Sequence, residues 1–222
     1  MISQSRRIVG VTVTAAVVVA LIGLYVGLYL TNNPGSASAA PGAGGEVNLY
    51  LATVPRTEPS DPHPSWVSYY AVDSGARNWR HQTTFVLPAN TDVHVTIYQY
   101  DGQSGLRNPF VAQSRGTVGD NFMLDGKPTQ VINPDAASHI FEIAQLGVSV
   151  PLMGIADDAK NPCDSAPCLP SMDHHTISFT FHTGKKGLYR WQCYVPCAAG
   201  FVAGFGGPMQ TVGYMDGFIK VV

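Results

Sequence analysis

The sequence predicts an all-β, Greek-key β-sandwich behind one N-terminal transmembrane helix. Three observations predict it: eight short runs with strand patterning, frequent glycine (23) and proline (16) between them, and one long uncharged stretch near the N-terminus. Helix formers such as Glu and Lys are scarce, which disfavours a helical bundle.

The strand-like runs are Val47 to Val54, Trp66 to Val72, Thr83 to Leu87, Val93 to Tyr100, His139 to Ile143, Ile177 to His182, Gly187 to Gln192 and Gly217 to Val222. Each alternates apolar and polar residues or is rich in β-branched and aromatic side chains, as a pleated surface with one face in a core requires. Phe85 to Val93 reads as strand, turn and strand, with Val93, Val95 and Ile97 continuing the alternation, the usual edge of a two-sheet Greek key. Asp101 to Ala137 is rich in Gly, Asp, Asn and Pro and reads as a long excursion, tacked to the core by Phe122 and Met123.

From Ile8 to Leu30 there are 23 residues without a charge. At about 1.5 Å per residue they are long enough to cross a hydrocarbon core roughly 30 Å thick. Arg6 and Arg7 precede the stretch and the next basic residue is Arg56, so the positive-inside bias leaves the N-terminus in the cytoplasm. The expectation is a single-pass protein of the cell membrane, with 1–32 as anchor, 33–45 as a flexible linker and 46–222 as one extracytoplasmic domain. The alternative is a cleaved signal peptide with Ala37-Ser38-Ala39 as its cleavage pattern, although a signal core usually spans only about 7 to 15 residues.

A net charge of -2 without a long basic run removes the electrostatic drive for nucleic-acid binding. The sequence carries no Ser-His-Asp motif, paired carboxylates or phosphate-binding glycine loop, so hydrolase and nucleotide chemistry lack support. No catalytic residue is expected.

The four cysteines form two close pairs. Cys163 and Cys168 flank a polar, turn-rich stretch and read as a structural disulfide. Cys193 and Cys197 sit where the run Gly187 to Gln192 ends and a loop begins. Thiolate and imidazole, often with a distant thioether, are ligands that copper takes in electron-transfer sites. His139 begins the other strand that could supply a partner.

Gly187-Leu188-Tyr189, Gln192-Cys193 and Cys197-Ala198-Ala199 resemble the binuclear copper (CuA) loop of cytochrome c oxidase subunit II, whose cysteines have the same three-residue gap. His139-Ile140-Phe141 with Leu146-Gly147-Val148 is similar to that family's first ligand histidine and its following turn. The resemblance covers roughly Thr83 to Val222 apart from the excursion. It implies a cupredoxin-like fold and a copper site completed by two histidines and a methionine. It also implies electrons arriving from cytochrome c and passing to haem-copper oxidase subunits.

The chain departs from the family where its second histidine would lie, at Phe201, with Gly204 at the methionine position. In a lengthened register Met215-Asp216-Gly217 matches the family's closing Met-x-Gly and the histidine position becomes Val212. The candidate metal ligands are therefore His139, Cys193, Cys197 and Met215, with Met209 as the other methionine. Three readings stay open: a CuA-like site with a substitute ligand, a single copper at His139, Cys193 and methionine, and a metal-free loop with Cys193 bonded to Cys197.

His182 reads as a solvent-facing strand histidine, and His174 and His175 as solvated loop residues. Asp157, Asp158, Asp164 and Asp173 are either a solvated acidic loop or carboxylates that steer a basic cytochrome c. The uncharged segment Ala198 to Met209, with Phe201, Val202 and Phe205, is expected to touch another protein or the bilayer. The function classes are an oxidase electron-transfer subunit, a metal-free accessory or assembly subunit, and a free-standing anchored copper carrier.

Overall fold

The computed structural model describes residues 4–27, 35–41, 45–61, 64–197 and 206–222. The chain divides into two units, Met1–Asn33 and Pro34–Val222. In the first, a helix α1 runs from Gln4–Tyr25. Among the described residues no helix is long and apolar enough to cross a membrane, and the end of the expected span, 28–30, lies outside them.

The second unit is a β-sandwich of two six-strand paths. One sheet runs, in spatial order, β1 (Ser36–Ser38), β5 (Thr84–Leu87), β13 (Asp216–Val221), β12 (Gly187–Gln192), β9 (Ala137–Ile143) and β10 (Val148–Met153). The other runs β2 (Ala40–Pro41), β3 (Val47–Val54), β6 (Asp92–Gln99), β11 (His175–His182), β7 (Phe122–Leu124) and β8 (Lys127–Thr129), and β4 (Ser68–Ala71) pairs with β3 off this path. Pairing is mixed: β5 lies parallel to β1 and β13, and β3 lies parallel to β6, while the other ladders are antiparallel. All eight runs read from the sequence are strands.

Alternation explains which faces meet. In β6 Val93, Val95, Ile97 and Gln99 are buried while their neighbours are partly exposed, and Ile177, Phe179 and Phe181 of β11 do the same across the ladder. Facing them, Trp191 of β12 packs nearly parallel to Phe141 (5.5 Å between ring centres) and Phe85 (5.7 Å). Its indole N–H donates to the Thr83 carbonyl at 2.8 Å. Burying that much aromatic surface dominates the core energetics.

A second cluster, with Ala52, Val54, Tyr70, Val72 and Tyr100, lies under the segment that carries the Cys163–Cys168 disulfide. The Arg56 guanidinium donates to the Asp164 carbonyl at 3.1 Å and holds this cover in place. The pairing of Cys163 with Cys168 agrees with the sequence reading.

Part of the segment read as a linker, 36–41, pairs into both sheets through β1 and β2. The Asp101 to Ala137 excursion does structural work. Its hairpin β7–β8 adds to the β11 side of one sheet with Phe122 in the core. Arg115 pairs with Ser149 on the otherwise open edge of β10, exchanging two hydrogen bonds of 2.8 and 2.9 Å. Gly116 makes this approach possible, because its φ is +66° and a Cβ there would lie 2.4 Å from the Gly147 carbonyl oxygen.

Gly217 stands opposite Trp191 in the β12–β13 ladder, and a Cβ on it would fall 1.9 Å from the Thr83 carbonyl oxygen and 2.7 Å from the indole nitrogen. Gly217→Ala is therefore expected to displace Trp191 and cost about 1–3 kcal/mol of stability. Urea unfolding of the two proteins measures it, and an unchanged midpoint would contradict the packing described.

Candidate metal centre

The site lies where four chain segments end together. His139 is the third residue of β9 and Cys193 directly follows β12. Asp101 lies two residues past β6, and Met209 closes a 3-10 turn, Gly207–Met209. The β12–β13 ladder continues one step beyond its strands, the Cys193 N–H donating to the Met215 carbonyl at 2.9 Å. That bond fixes the start of the cysteine loop against the rigid sheet.

His139, Cys193 and Cys197 offer ligand atoms all within 4.8 Å of one another. The Cys193 Sγ lies 3.9 Å from His139 Nδ1 and 3.9 Å from Cys197 Sγ. Both thiols are free. The Ile140 N–H donates to Cys193 Sγ at 3.5 Å, and Cys197 Sγ lies 2.9 Å from Met209 Sδ. His139, Cys193 and Met209 are fully buried or nearly so. Met209 is held by the Gln192 side-chain amide, which donates to its carbonyl at 2.6 Å.

Of the two methionines considered, Met209 brings its sulfur to the cysteines. Met215, the methionine expected from the sequence, is fully buried beside the loop, its carbonyl accepting from the Cys193 N–H and its own N–H donating to the Pro208 carbonyl at 3.1 Å. The next residue, Asp216, anchors the loop's end, its buried carboxylate gripping the Arg190 guanidinium at two points, one of them 2.9 Å.

Asp101 was not singled out by the sequence. Its carboxylate meets His139 Nε2 at 2.9 Å, which fixes the ring so that Nδ1 faces the sulfurs. No sequence motif marks an aspartate at the start of a turn-rich excursion as a histidine's partner; only the packing of one sheet on the other brings the end of β6 beside β9.

The electrostatics follow from this cage. Burial opposes an imidazolium at His139, but the Asp101 carboxylate and the Cys193 thiolate outweigh it and raise the ring to about 9. Burial likewise opposes a Cys193 thiolate, yet hydrogen bonds from Cys197, His139 and the Ile140 N–H hold it well below the ordinary thiol value. The hydrogen bond with Cys193, then burial and the Cys193 charge, push Cys197 well up. The Tyr69 phenol, raised by burial and by the two cysteines, donates to the Ile140 carbonyl at 3.0 Å.

Proton counts give the pH dependence of the metal-free chain. His139 keeps its proton to about 9 in the fold and only to about 6.5 unfolded, so its stabilisation is complete below about 6.5 and lost as pH rises through about 9. Cys193 has a lowered value in the fold, so its stabilisation is complete above the unfolded thiol value of about 8.5 and lost as pH falls through the folded one. The two slopes oppose each other just below the unfolded thiol value of about 8.5, and above it only that of His139 remains. The stability difference between wild type and His139→Gln/Cys193→Ser is therefore expected to shrink as pH rises from about 8.5 through about 9. Urea midpoints across pH check this, and a difference that grows over that range would contradict it.

The donor set of one imidazole nitrogen, two thiol sulfurs and one thioether suits a single thiophilic ion. Among the described residues a single imidazole joins the two thiols. The other described histidines are engaged elsewhere: His81 with Ser68 and Asp61, His94 with Thr180, His174 with the Met172 carbonyl, His175 with Asp125 and His182 with Asp92. His182 is exposed, as the alternation of β11 requires. Phe201, Val202, Gly204 and Phe205 lie outside the described residues. A Ser68–His81–Asp61 series, which the sequence did not reveal, is assembled in space; its serine is fully buried and is no accessible nucleophile.

No protein-family model and no curated protein matches the chain. Solved structures of the copper protein rusticyanin are similar to it at a distance. One is 16% identical, covers 92% of this chain and 94% of its own, and has a TM-score of 0.36. Reduced rusticyanin is 18% identical over 84% of each chain with a TM-score of 0.34. Rusticyanin from Thiobacillus ferrooxidans is 17% identical, covers 91% of this chain and 93% of its own, and has a TM-score of 0.33.

Proposed function

We propose that the chain is a cupredoxin-type electron-transfer protein that binds one copper ion at His139, Cys193, Cys197 and Met209. The observation that carries this reading is the convergence of a buried imidazole and two free thiols within 4.8 Å, with the Met209 thioether beside Cys197. Bound copper would supply a one-electron couple.

The residues of the chain do the rest. The Asp101 carboxylate holds the histidine's tautomer and orientation, the role such partners play behind metal-bound imidazoles. The Ile140 N–H, donating to Cys193 Sγ, tempers charge on that sulfur. Trp191, Tyr69 and Phe141 exclude water below the site. Ligands held by strand ends and a ladder hydrogen bond keep their places whatever the charge on the ion, which favours fast electron exchange.

The fuller reading places this domain outside the cell membrane behind an N-terminal anchor, receiving electrons from a cytochrome c and passing them to haem-copper oxidase subunits. It is supported by the uncharged Ile8 to Leu30 stretch behind Arg6 and Arg7, and by the subunit II resemblance around His139 and Cys193.

Titrating the full chain in detergent with copper tests the proposal. One equivalent should bind with a visible thiolate-to-copper absorption. Absence of binding, or uptake of two equivalents at this site, would overturn it.

A further inference from the structure

Segment 206–215 carries Met209 and is clamped from two sides. Gln192 holds it from the sheet. From the other side, Tyr69 N–H donates to the Tyr214 carbonyl at 3.1 Å, and the Tyr214 phenol donates to the Pro64 carbonyl at 3.2 Å. Trp66 packs against Tyr214 with 5.0 Å between rings and stands over Gly207.

The Ser68 hydroxyl reaches the same segment, 3.3 Å from the Gly213 carbonyl and 3.1 Å from that of Tyr69. It also lies 2.9 Å from His81 Nε2, while His81 Nδ1 meets the Asp61 carboxylate at 2.5 Å. The imidazole is stacked on Tyr70 at 4.7 Å and meets the edge of Tyr214 at 5.3 Å. Among the described residues, the Asp61 carboxylate meets the ring directly, and the Glu58 N–H donates to the Tyr70 phenol at 3.1 Å. Both phenols are raised, by burial first, and stay neutral.

A hydroxyl has one hydrogen, so its direction is set by the ring. When His81 is neutral with Nδ1–H on Asp61, Nε2 accepts the Ser68 hydrogen and the Gly213 carbonyl loses it. When His81 is protonated, Nε2–H donates to Ser68 Oγ, and the serine hydrogen turns to the Gly213 and Tyr69 carbonyls. Protonation thus tightens the segment that carries Met209.

We propose that Asp61, His81 and Ser68 form a protonation-controlled latch in which His81 is a positioning residue for the metal-binding segment. The inference rests on the copper reading for its consequence at Met209, and on geometry alone for the latch.

The test uses the full chain in detergent, isotope-labelled for NMR, with and without bound copper. In metal-free wild type the Tyr214 amide nitrogen, bonded to the Gly213 carbonyl carbon, should shift in one step whose midpoint is that of the His81 ring. Ser68→Ala should lose the step while His81 still titrates, and Ser68→Thr should restore it. If Ser68→Ala fails to fold, His81→Gln serves, and it should show no step. In copper-loaded wild type the visible band should shift with the same midpoint. A Tyr214 step that survives Ser68→Ala or His81→Gln, no step in wild type, or a bound copper whose band ignores the His81 titration would overturn the latch. A Tyr214 step in a chain that binds no copper would leave the latch standing and sink the copper reading alone.

Discussion

Cys193→Ser is expected to abolish copper binding and its visible absorption while the chain still folds. The sulfur of Cys193 is the one donor placed beside both His139 Nδ1 and Cys197 Sγ, at 3.9 Å from each. The environment is built for its anion: the His139 imidazolium, the Cys197 thiol and the Ile140 N–H all stabilise a thiolate in a fully buried position. A serine hydroxyl is a hard, poorly ionised donor and cannot supply the soft anionic ligand that copper takes there. The substitution is close to isosteric, so the core around Trp191 and Val195 stays filled. Copper uptake, the visible spectrum and circular dichroism of wild type and variant measure the effect. A variant that keeps the coloured centre would remove Cys193 from the ligand set.

Asp101→Asn is expected to weaken copper binding by about 10- to 100-fold, the usual effect of removing the carboxylate behind a ligating imidazole. Asparagine can still accept a hydrogen bond from His139 Nε2, so the ring remains in place and what is lost is charge. The comparison isolates electrostatics from positioning. Competition against a copper chelator reads the change, and an unchanged affinity would show that the Asp101–His139 contact has no bearing on the metal.

Fold and site differ in how legible they are from residues. Strands whose one face is buried announce themselves, and β3, β6, β11 and β12 lie where alternation places them. β10 does not alternate, because Val148 to Leu152 are buried on both faces. Its Pro151 also argues against a strand, yet it is tolerated at a sheet edge that Arg115 covers at Ser149. The short strands β1, β2, β7 and β8 lie in segments rich in Gly, Ala, Pro and Asp, where composition outweighs any pattern and the pairing is set by the neighbouring sheet.

At the site, residue type, spacing and the family resemblance singled out His139, Cys193 and Cys197, and the fold brings the three together. Residue type alone does not choose between Met209 and Met215; the fold sets Met209 Sδ 2.9 Å from Cys197 Sγ and ties the Met215 main chain to Cys193. Asp101 and the Ser68–His81–Asp61 series join residues far apart in sequence, and nothing local marks them.

X-ray absorption at the copper edge of the loaded full chain tests the central claim most directly. The account predicts one copper with a single imidazole nitrogen and sulfur neighbours, and no second copper in its shell. A copper–copper vector, two imidazoles, or a shell without sulfur would contradict it.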